Sequence, residues 1–394
     1  MCGERKETIV FLNHWSEKPG GAEYSLVDIL RQFSTDFQLH LITTESGYLV
    51  NSASGMGVRC HVVCCTATPE KFRRDQPAWK LPFRVPSLLK FLFFAVRVHR
   101  IVKKIRPDRI HANVPKSHAL LYLLGLFGFR GRAVFHIREI FTKGSMPWKL
   151  YPLFLRGRKG EIIAISHAVK SSLPQKIQKK AQVIYNGIEV LGPDDGWDLN
   201  SCSSLNFLYI GRVVRWKGCH GLIEAFSRLK SRGAEGECTL SLIGDSSYGD
   251  TGYRDELRGL IKEKGLTGSV SLFDHREQPW RSVKKPAVFC TASVKEPFGR
   301  SVAEAQGCGL AVVGFSSGGI KEIVQDGVSG LLVPENDIEA FSRAMERLLV
   351  CPDLREYMGQ QGYKRAHTLF NREVQMPVIR EHILGMKNWE GLRF

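Results

Sequence analysis

The stretch Glu296-Pro-Phe-Gly-Arg-Ser-Val-Ala-Glu304 decides most about this chain, because it places two glutamates eight positions apart around a predicted turn. The Pro-Phe-Gly triplet after Glu296 predicts a loop at the end of a strand, and the run from Val302 to Gln306 predicts a helix that carries Glu304. The positive end of a helix dipole then lies near both carboxylates. Two hydrogen-bond acceptors beside an anion-binding helix start suit a ligand with hydroxyls at its ends and phosphate in its middle. A nucleotide sugar is such a ligand.

Length and composition predict a globular protein of two domains. The 394 residues exceed the usual size of one hydrophobic core, and 43% hydrophobic with 24% charged residues is ordinary for a globular chain. No apolar run reaches the roughly 18 residues that span a bilayer, and residues 1–7 show no signal-peptide pattern. The ten cysteines are scattered without a Cys-x-x-Cys pair, so we expect buried free thiols in a reducing cytoplasm and no structural zinc.

Short β-branched runs alternate with helical periodicity through both halves of the chain, which is the pattern of parallel α/β sheets. We predict one doubly wound domain over residues 1–189, a linker rich in turn-forming residues over 190–204, and a second domain over 205–370. The segment 371–394 predicts a helix that packs back on the first domain. The predicted strands are Thr8–Leu12, Gln38–Thr43, Arg59–Val63, Arg109–Ala112, Ala133–Ile137, Glu161–Ile165, Asn206–Ile210, Thr239–Ile243, Ser269–Leu272, Ala287–Cys290, Leu310–Gly314 and Gly330–Val333.

Several nucleotide-binding fingerprints are missing from the sequence. No Gly-x-Gly-x-x-Gly follows a predicted strand and no Gly-x-x-x-x-Gly-Lys-Ser/Thr occurs, which removes the main support for a dehydrogenase or a P-loop NTPase. No Asp-x-Asp occurs either, so no carboxylate pair is expected to hold a divalent ion on a diphosphate.

Gly20 and Gly21 precede a predicted helix that runs to Leu30. Paired glycines let the backbone approach a ligand closely, and the following helix presents free N–H groups to an anion. A plain connection between strand and helix explains the pair equally well, so these glycines become candidates only beside the other motifs.

Arg212 and Lys217 follow a predicted strand of the second domain, in Ile210-Gly-Arg-Val-Val-Arg-Trp-Lys-Gly218. Arginine offers a planar fork to phosphate oxygens and lysine adds a compact positive charge, so together they suit a diphosphate. Positive charge at this place stabilises the negative charge that develops when a nucleoside diphosphate departs. A solvated basic loop is the alternative.

His136 ends an apolar strand of the first domain, and ligands of open α/β sheets bind at strand ends. A structural histidine is the competing interpretation. His14, His111 and His167 are similar candidates with less supporting context.

Together these motifs resemble the family 4 glycosyltransferases, retaining enzymes with two facing Rossmann-like domains known as the GT-B fold. The resemblance spans most of the chain and is strongest over residues 206–350. The stretches that carry it are Gly20-Gly-Ala-Glu23, Asn186-Gly-Ile188, Gly211-Arg212, Lys217-Gly218, the Glu296–Glu304 stretch, and Gly318-Gly-Ile-Lys-Glu-Ile-Val324 with Gly327 and Gly330-Leu-Leu-Val333.

The resemblance implies a donor site in the interdomain cleft and a role for each motif. Glu304 would hold the ribose hydroxyls and Glu296 the transferred sugar. Arg212 and Lys217 would neutralise the diphosphate of a UDP- or GDP-sugar, with help from backbone N–H groups near Gly20 and Gly21. Further N–H groups would come from Pro297-Phe298-Gly299-Arg300.

The resemblance also implies chemistry without a metal cofactor and without an enzyme nucleophile. The leaving phosphate would accept the acceptor's proton, so Glu296 is not a nucleophile. His136 falls where the family often has a histidine near the sugar, although His-Ile-Arg departs here from the more usual His-Asp or His-Gly.

The net charge of +17 is concentrated in residues 71–160, which hold 21 Lys and Arg against three acidic residues. Within them, Pro86–Ile105 has a helical pattern with Lys90, Arg97, Arg100, Lys103 and Lys104 on one face, within roughly 140° at about 100° per residue. Such a helix suits an anionic membrane surface, whereas a core helix with a solvated basic face explains the apolar part equally well. We expect no nucleic-acid partner, because no nucleic-acid-binding motif accompanies the charge.

The sequence therefore predicts a retaining hexosyltransferase of surface-polysaccharide or glycolipid synthesis, peripheral on the cytoplasmic face of a membrane, with a glycan or lipid-linked acceptor. A non-catalytic nucleotide-sugar-binding protein, a sugar-nucleotide epimerase and a nucleic-acid binder are the alternatives. The residues leave open the base and sugar of the donor, the acceptor and its linkage, and the oligomeric state.

Overall fold

The computed structural model of the protein describes residues 5–14, 20–65, 85–155, 160–190, 204–233, 238–246, 252–276, 279–282 and 287–385. Contacts divide the chain into two compact units. Unit 1 comprises Met1–Ile165, Val169–Ile184 and Met376–Phe394, and unit 2 comprises Ser166–Ala168 and Tyr185–Gln375. Most of the expected linker, residues 191–203, lies outside the described residues.

Unit 1 contains a sheet of seven parallel strands in the order β3-β2-β1-β4-β5-β6-β7. The strands are β1 Thr8–Leu12, β2 Gln38–Thr43, β3 Arg59–Val62, β4 Arg109–Ala112, β5 Arg132–Ile137, β6 Gly160–Ala164 and β7 Ala181–Val183. The six strands predicted for this half are confirmed to within one residue at each end. The three-residue β7 was missed, because a run that short carries no periodicity.

The helices that accompany this sheet alternate with its strands. They are α1 Gly21–Phe33, α2 Tyr48–Gly55, α3 Val85–Ile105, α4 Pro115–Leu126, α5 Met146–Phe154, α6 His167–Ser172, α7 Gln175–Gln178 and, from the end of the chain, α14 Arg372–Leu384. Helices on both faces of a parallel sheet bury its strands on both sides.

The central strand β1 shows how the two faces of the unit 1 sheet are covered. Ile9 and Phe11 pack on one face with residues of α1, α2 and α14, whereas Val10 and Leu12 pack on the other with residues of α3 and α4. Helix α14 contributes buried Met376, Ile379 and Ile383 to the first face. Its C-terminal carbonyls accept hydrogen bonds from Arg109 and Arg132, which end the helix on the sheet.

Unit 2 contains a sheet of six parallel strands in the order β10-β9-β8-β11-β12-β13. The strands are β8 Leu205–Ile210, β9 Cys238–Ile243, β10 Val270–Phe273, β11 Ala287–Thr291, β12 Ala311–Phe315 and β13 Gly330–Val333, again within one residue of the predicted ends. Its helices are α8 Cys219–Ser231, α9 Tyr253–Glu263, α10 Arg300–Gly307, α11 Ile320–Ile323, α12 Ile338–Val350 and α13 Pro352–Leu369, with 3-10 turns at Arg215–Lys217 and Pro279–Ser282.

Helix α3 differs from the simple amphipathic pattern predicted for it. Its inward face buries Phe94, Val98 and Val102 in the unit 1 core. Its outward face carries basic residues, as predicted, but also the exposed apolar side chains of Leu89, Phe93 and Val96. In the described part of the chain, no helix combines the length and apolarity required to cross a bilayer.

Candidate functional site

Two of the predicted donor-binding residues of unit 2, Lys217 and Glu296, meet because the loops that carry them follow neighbouring strands. Strands β8 and β11 pair in parallel, with Asn206 opposite Ala287, so their carboxyl ends lie at the same edge of the sheet. The loop after β8 carries Arg212 and Lys217, and the loop after β11 carries Glu296. A backbone hydrogen bond of 3.2 Å from Val294 to Trp216 joins the two loops directly.

Lys217 and Glu296 form an ion pair at this edge. The Lys217 Nζ atom lies 2.5 Å from Glu296 Oε2, and the two side chains are only 14% and 10% exposed. Burial lowers the pKa of Lys217 from its usual value, and the Glu296 carboxylate opposes that shift. Sequence reasoning predicted both residues but gave them separate ligand groups; the structure shows that each is also the other's partner.

Gly218 explains why the Lys217 turn can lie so close to β11. Its φ of +73° is left-handed, and a Cβ atom there would stand 2.2 Å from the carbonyl oxygen of Ala292. Only glycine satisfies both conditions without displacing the backbone.

The loop of Glu296 rests on the second Gly-Gly turn. Gly319 donates its N–H to the Glu296 carbonyl at 2.8 Å, and Lys295 donates to Ser317 Oγ at 2.7 Å. Gly318 has a φ of +51°, and a Cβ atom there would stand 2.1 Å from the Glu296 oxygen. The turn therefore positions the Glu296 backbone by close approach.

Glu304 lies in α10, and Glu296 in the loop before it, as the sequence predicted. Both carboxylate oxygens of Glu304 already accept hydrogen bonds. Arg300 Nε donates to Oε1 at 2.7 Å, and Trp280 Nε1 donates to Oε2 at 3.1 Å. The Arg300 side chain therefore holds Glu304, and the backbone N–H contact predicted for Arg300 stays a prediction.

Trp280 was missed, because a single tryptophan in a short polar segment gives no sequence signal. It lies in the 3-10 turn Pro279–Ser282 and packs its ring against Phe289 of β11, with centroids 5.7 Å apart.

Pro297, Phe298 and Gly299 form the connection from Glu296 to α10. The Phe298 ring is buried against Tyr185 and Phe370. Gly299 takes a φ of +101° immediately before the first residue of the helix. A ligand at this helix start would meet backbone N–H groups rather than the Phe298 side chain.

In unit 1, Gly20 and Gly21 lie at the start of α1, held by the glutamate of the same motif. Glu23 Oε2 accepts from the Gly20 N–H at 3.0 Å, and Asn13 Nδ2 lies 3.4 Å from Glu23 Oε1. A Cβ atom on Gly21 would meet nothing within 4 Å, so there is open space on the Cβ side of this residue.

His136 is buried, with 1% of its surface exposed, near the end of β5. Its Nδ1 atom lies 3.2 Å from His111 Nε2 and 3.3 Å from an Arg138 guanidinium nitrogen. Burial, reinforced by the Arg138 charge, lowers the pKa of His136 well below its usual value, so the ring is neutral. Among the described residues its Nε2 atom has no hydrogen-bond partner. Its predicted place near the sugar stays a prediction.

A buried polar network at the carboxyl ends of β1, β4 and β5 was also missed. Asn113 donates to Asn13 Oδ1 at 3.1 Å, and Arg138 Nε donates to Asn113 Oδ1 at 2.8 Å. Each of these residues comes directly after a strand, and that position was the signal available in the sequence.

Comparison with known proteins gives matches in both halves of the chain. Residues 203–365 match the family described as glycosyl transferases group 1, and residues 47–190 match glycosyltransferase family 4. A lipopolysaccharide core biosynthesis glycosyltransferase of Rhizobium meliloti, LpsE, is 32% identical over 42% of this chain, and the match spans 45% of that relative's length. An N-acetylgalactosamine-N,N'-diacetylbacillosaminyl-diphospho-undecaprenol 4-alpha-N-acetylgalactosaminyltransferase of Campylobacter jejuni is 25% identical over 93% of this chain and 96% of its own length.

Solved structures share the fold over nearly the whole chain. HepE of Anabaena, crystallised with UDP and glucose, has a TM-score of 0.78 at 21% identity and covers 96% of this chain and 100% of its own. The lipopolysaccharide outer core galactosyltransferase WaaB has a TM-score of 0.71 at 15% identity, covering 96% of this chain and 99% of its own. The two family models together cover most of the chain, and the solved structures cover nearly all of it: the chain has the GT-B fold and belongs to the family 4 glycosyltransferases.

Proposed function

We propose that this chain transfers a hexosyl group, with retention at the anomeric carbon, from a UDP- or GDP-sugar to a glycan or lipid-linked acceptor. The observation that carries the proposal is the buried Lys217–Glu296 pair at the same sheet edge as Arg212. A cation and a carboxylate held together, out of bulk water, suit a ligand that presents phosphate and hydroxyl groups side by side.

Each residue then has a chemical task on the donor. Glu304 accepts hydrogen bonds from the ribose hydroxyls, and Glu296 accepts from hydroxyls of the transferred sugar. Lys217 and Arg212 stabilise the charge that grows on the diphosphate as its bond to the anomeric carbon breaks. The acceptor oxygen bonds to that carbon on the face that the phosphate leaves, and its proton passes to a phosphate oxygen. The two cations neutralise the leaving group in this scheme, so it requires no metal.

Thermal shift with a panel of UDP-, GDP- and ADP-sugars tests the donor assignment. We expect one or two of them to stabilise the protein, and Glu304→Ala to abolish most of that shift. Stabilisation by none of them would remove the donor-site assignment. A donor that binds without transfer or slow hydrolysis would favour a binding protein, and conversion of the donor without any acceptor would favour an epimerase.

The acceptor class and a membrane location are supported by relatives and by the surface of unit 1. The Campylobacter relative is named for a diphospho-undecaprenol acceptor, and LpsE for lipopolysaccharide core synthesis. In this chain, the outward face of α3 exposes Phe93 to 71%, with Leu89 and Val96 on the same face. Lys90 and Arg97 lie beside them and are exposed too. Apolar side chains among basic ones suit the cytoplasmic face of an anionic membrane.

Two further helices of unit 1 also expose apolar side chains. Helix α4, which packs against α3, exposes Leu126 near its end, and α5, which packs against α4, exposes Met146, Leu150 and Leu153. Because the strength of membrane binding scales with the apolar area buried at the headgroup region, these side chains are further candidates for the membrane contact.

Sedimentation with vesicles of phosphatidylcholine and phosphatidylglycerol tests the membrane proposal. We expect binding to the anionic vesicles to fall at least about tenfold in Phe93→Ser, and also when Lys90, Arg97, Lys103 and Lys104 are neutralised together. Val350→Ser, which removes an exposed apolar side chain from α12 of unit 2, is the matched control and should bind as the native chain does. Unchanged binding in the neutralised variant would count against this helix.

A further inference from the structure

Trp216 lies at the point where the two predicted phosphate-binding cations meet. It is the middle residue of the turn Arg215–Lys217 and is 37% exposed. The Lys217 Nζ atom lies 4.4 Å from the centroid of its ring, and the Arg212 guanidinium carbon lies 5.8 Å away. Both distances are within the roughly 6 Å at which a ring face attracts a cation.

We propose that Trp216 is a positioning residue for the donor diphosphate, because its indole holds the Lys217 ammonium, and at longer range Arg212, beside Glu296. This inference rests on the proposed function, since it presumes that these cations bind a nucleoside diphosphate. It gives a role to a tryptophan that is neither a phosphate ligand nor part of the unit 2 core.

The aromatic ring offers Lys217 a partner that does not compete with the phosphate as strongly as Glu296 does. Glu296 attracts Lys217 with a full negative charge, which competes with the phosphate for the same ammonium group. The indole face attracts the ammonium without a net charge, so it holds the cation in place without competing for it as a second carboxylate would. Lys217 is nearly buried, and a cation–π contact is strongest where water is excluded.

The backbone makes the indole part of the same loop junction as Glu296. The Trp216 carbonyl accepts the hydrogen bond from Val294, two residues before Glu296. Gly218, directly after Lys217, packs its backbone against Ala292. The loop that carries Glu296 therefore holds the backbone from which both the Trp216 ring and the Lys217 side chain extend.

Arg215 in the same turn provides a charge-matched control. Its guanidinium group forms an ion pair with Glu256 of α9 and lies 5.0 Å from the ring centroid of Tyr253. Arg215 is thus engaged with α9, so its removal takes one positive charge from the turn without touching the Lys217–Trp216 contact.

Isothermal titration of the full chain with UDP and UMP, and in parallel with GDP and GMP, measures what the second phosphate adds to binding. We expect Trp216→Leu to weaken diphosphate binding by roughly 5- to 10-fold, with monophosphate binding changed by less than about twofold. Trp216→Phe keeps a ring face and should recover most of the loss. An exposed site tolerates both substitutions, and the melting temperature of each variant checks the fold.

Lys217→Met and Arg215→Met show whether a negative result concerns only the role of Trp216 or the proposed function as well. If Lys217→Met loses the affinity that the second phosphate adds and Arg215→Met keeps it, the phosphate role of Lys217 stands. In that case, unchanged diphosphate binding in Trp216→Leu overturns the proposal for Trp216. Equal losses for mono- and diphosphates in Trp216→Leu would overturn it too. If Lys217→Met keeps all of that added affinity, or if the native chain binds none of the four nucleotides, the proposed function itself is wrong at this position.

Discussion

Lys217 and Glu296 are 79 positions apart in the chain, and their side chains meet at 2.5 Å in a nearly buried ion pair. Taking two charges out of water is expensive, and their attraction repays the cost only when the geometry is good. The pair is therefore weak support for stability and stronger support for a site that needs both charges in place. Because the two residues follow adjacent parallel strands, the fold itself brings them together.

The ion pair predicts strong coupling in a double-mutant cycle. Lys217→Met or Glu296→Leu alone leaves a nearly buried charge without its partner and should cost roughly 3 kcal/mol of unfolding free energy. The double variant should cost at least about 1 kcal/mol less than the sum of the two, because no isolated charge remains. Denaturant unfolding of the four proteins measures this coupling. Additive losses would mean that the pair is not formed in solution.

Glu304 predicts discrimination between nucleotides that have and lack ribose hydroxyls. Removing the carboxylate in Glu304→Ala should reduce the preference for UDP or GDP over the 2′,3′-dideoxy forms by roughly tenfold or more, the worth of hydrogen bonds to a charged group. Competition binding with the paired nucleotides gives the ratio.

Trp280 should also affect the preference for UDP or GDP over the 2′,3′-dideoxy forms, because its N–H donates a hydrogen bond to one oxygen of Glu304. Trp280→Phe removes that N–H and keeps an aromatic ring against Phe289, so we expect a preference reduced by roughly 3- to 10-fold. Phe289→Leu loosens the packing without removing the N–H, and it should lower the melting temperature while leaving the ratio unchanged. A native ratio in Trp280→Phe would show that the hydrogen bond does not orient Glu304 for the donor.

Much of the fold could be predicted because local sequence patterns indicate where strands end and helices begin. Thr8–Leu12 is a short run of β-branched and apolar residues, and Ile338–Val350 repeats its apolar residues at helical spacing. The partners inside the site could not be predicted, because the pairing of Lys217 with Glu296 depends on which strands are neighbours. His136 was predicted at the end of a strand, but its contacts with His111 and Arg138 depend on the three-dimensional arrangement and could not be predicted from the sequence.

We expect substitution of Gly318 to reduce both stability and donor affinity, whereas substitution of an ordinary left-handed glycine reduces stability alone. Gly318→Ala should both strain the backbone and displace Glu296, because its Cβ atom would stand 2.1 Å from the Glu296 carbonyl oxygen. We expect a cost of at least about 3 kcal/mol in unfolding free energy and a clear loss of donor affinity.

Gly327→Ala is the matched control, with a φ of +74° and nothing within 4 Å of the added Cβ atom. It should cost only the backbone strain, about 1 kcal/mol, and leave donor binding as it is. Equal effects of the two substitutions on donor affinity would show that the Gly318 turn does not position Glu296.

Buried histidines make unit 1 sensitive to acid. Burial lowers the pKa of His118 to about 4 and the pKa values of His111 and His136 well below their usual range. Between about pH 6.5 and these lowered values the unfolded chain binds protons that the folded chain cannot, so stability falls as the pH decreases. Each histidine contributes at most about 1.4 kcal/mol per pH unit.

Hydrogen exchange at about pH 7.5 and about pH 5.5, corrected for the intrinsic rate at each pH, distinguishes the two units. Peptides of β4 and β5 should lose protection at the lower pH more than those of β8 and β11. In unit 2, the four histidines that the structure describes, His167, His220, His275 and His367, are all exposed. Equal losses in the two units would contradict the neutral, buried state of His111, His118 and His136.

The measurement that tests the central claim most directly is the affinity of the native chain and of Lys217→Met for UDP- and GDP-sugars, with Arg215→Met as the charge-matched control. We predict that at least one of these donors binds the native chain and Arg215→Met alike, and that Lys217→Met binds it at least about tenfold more weakly. Absence of binding to the native chain, or equal affinity in all three proteins, would contradict a donor site built on Lys217 and Glu296.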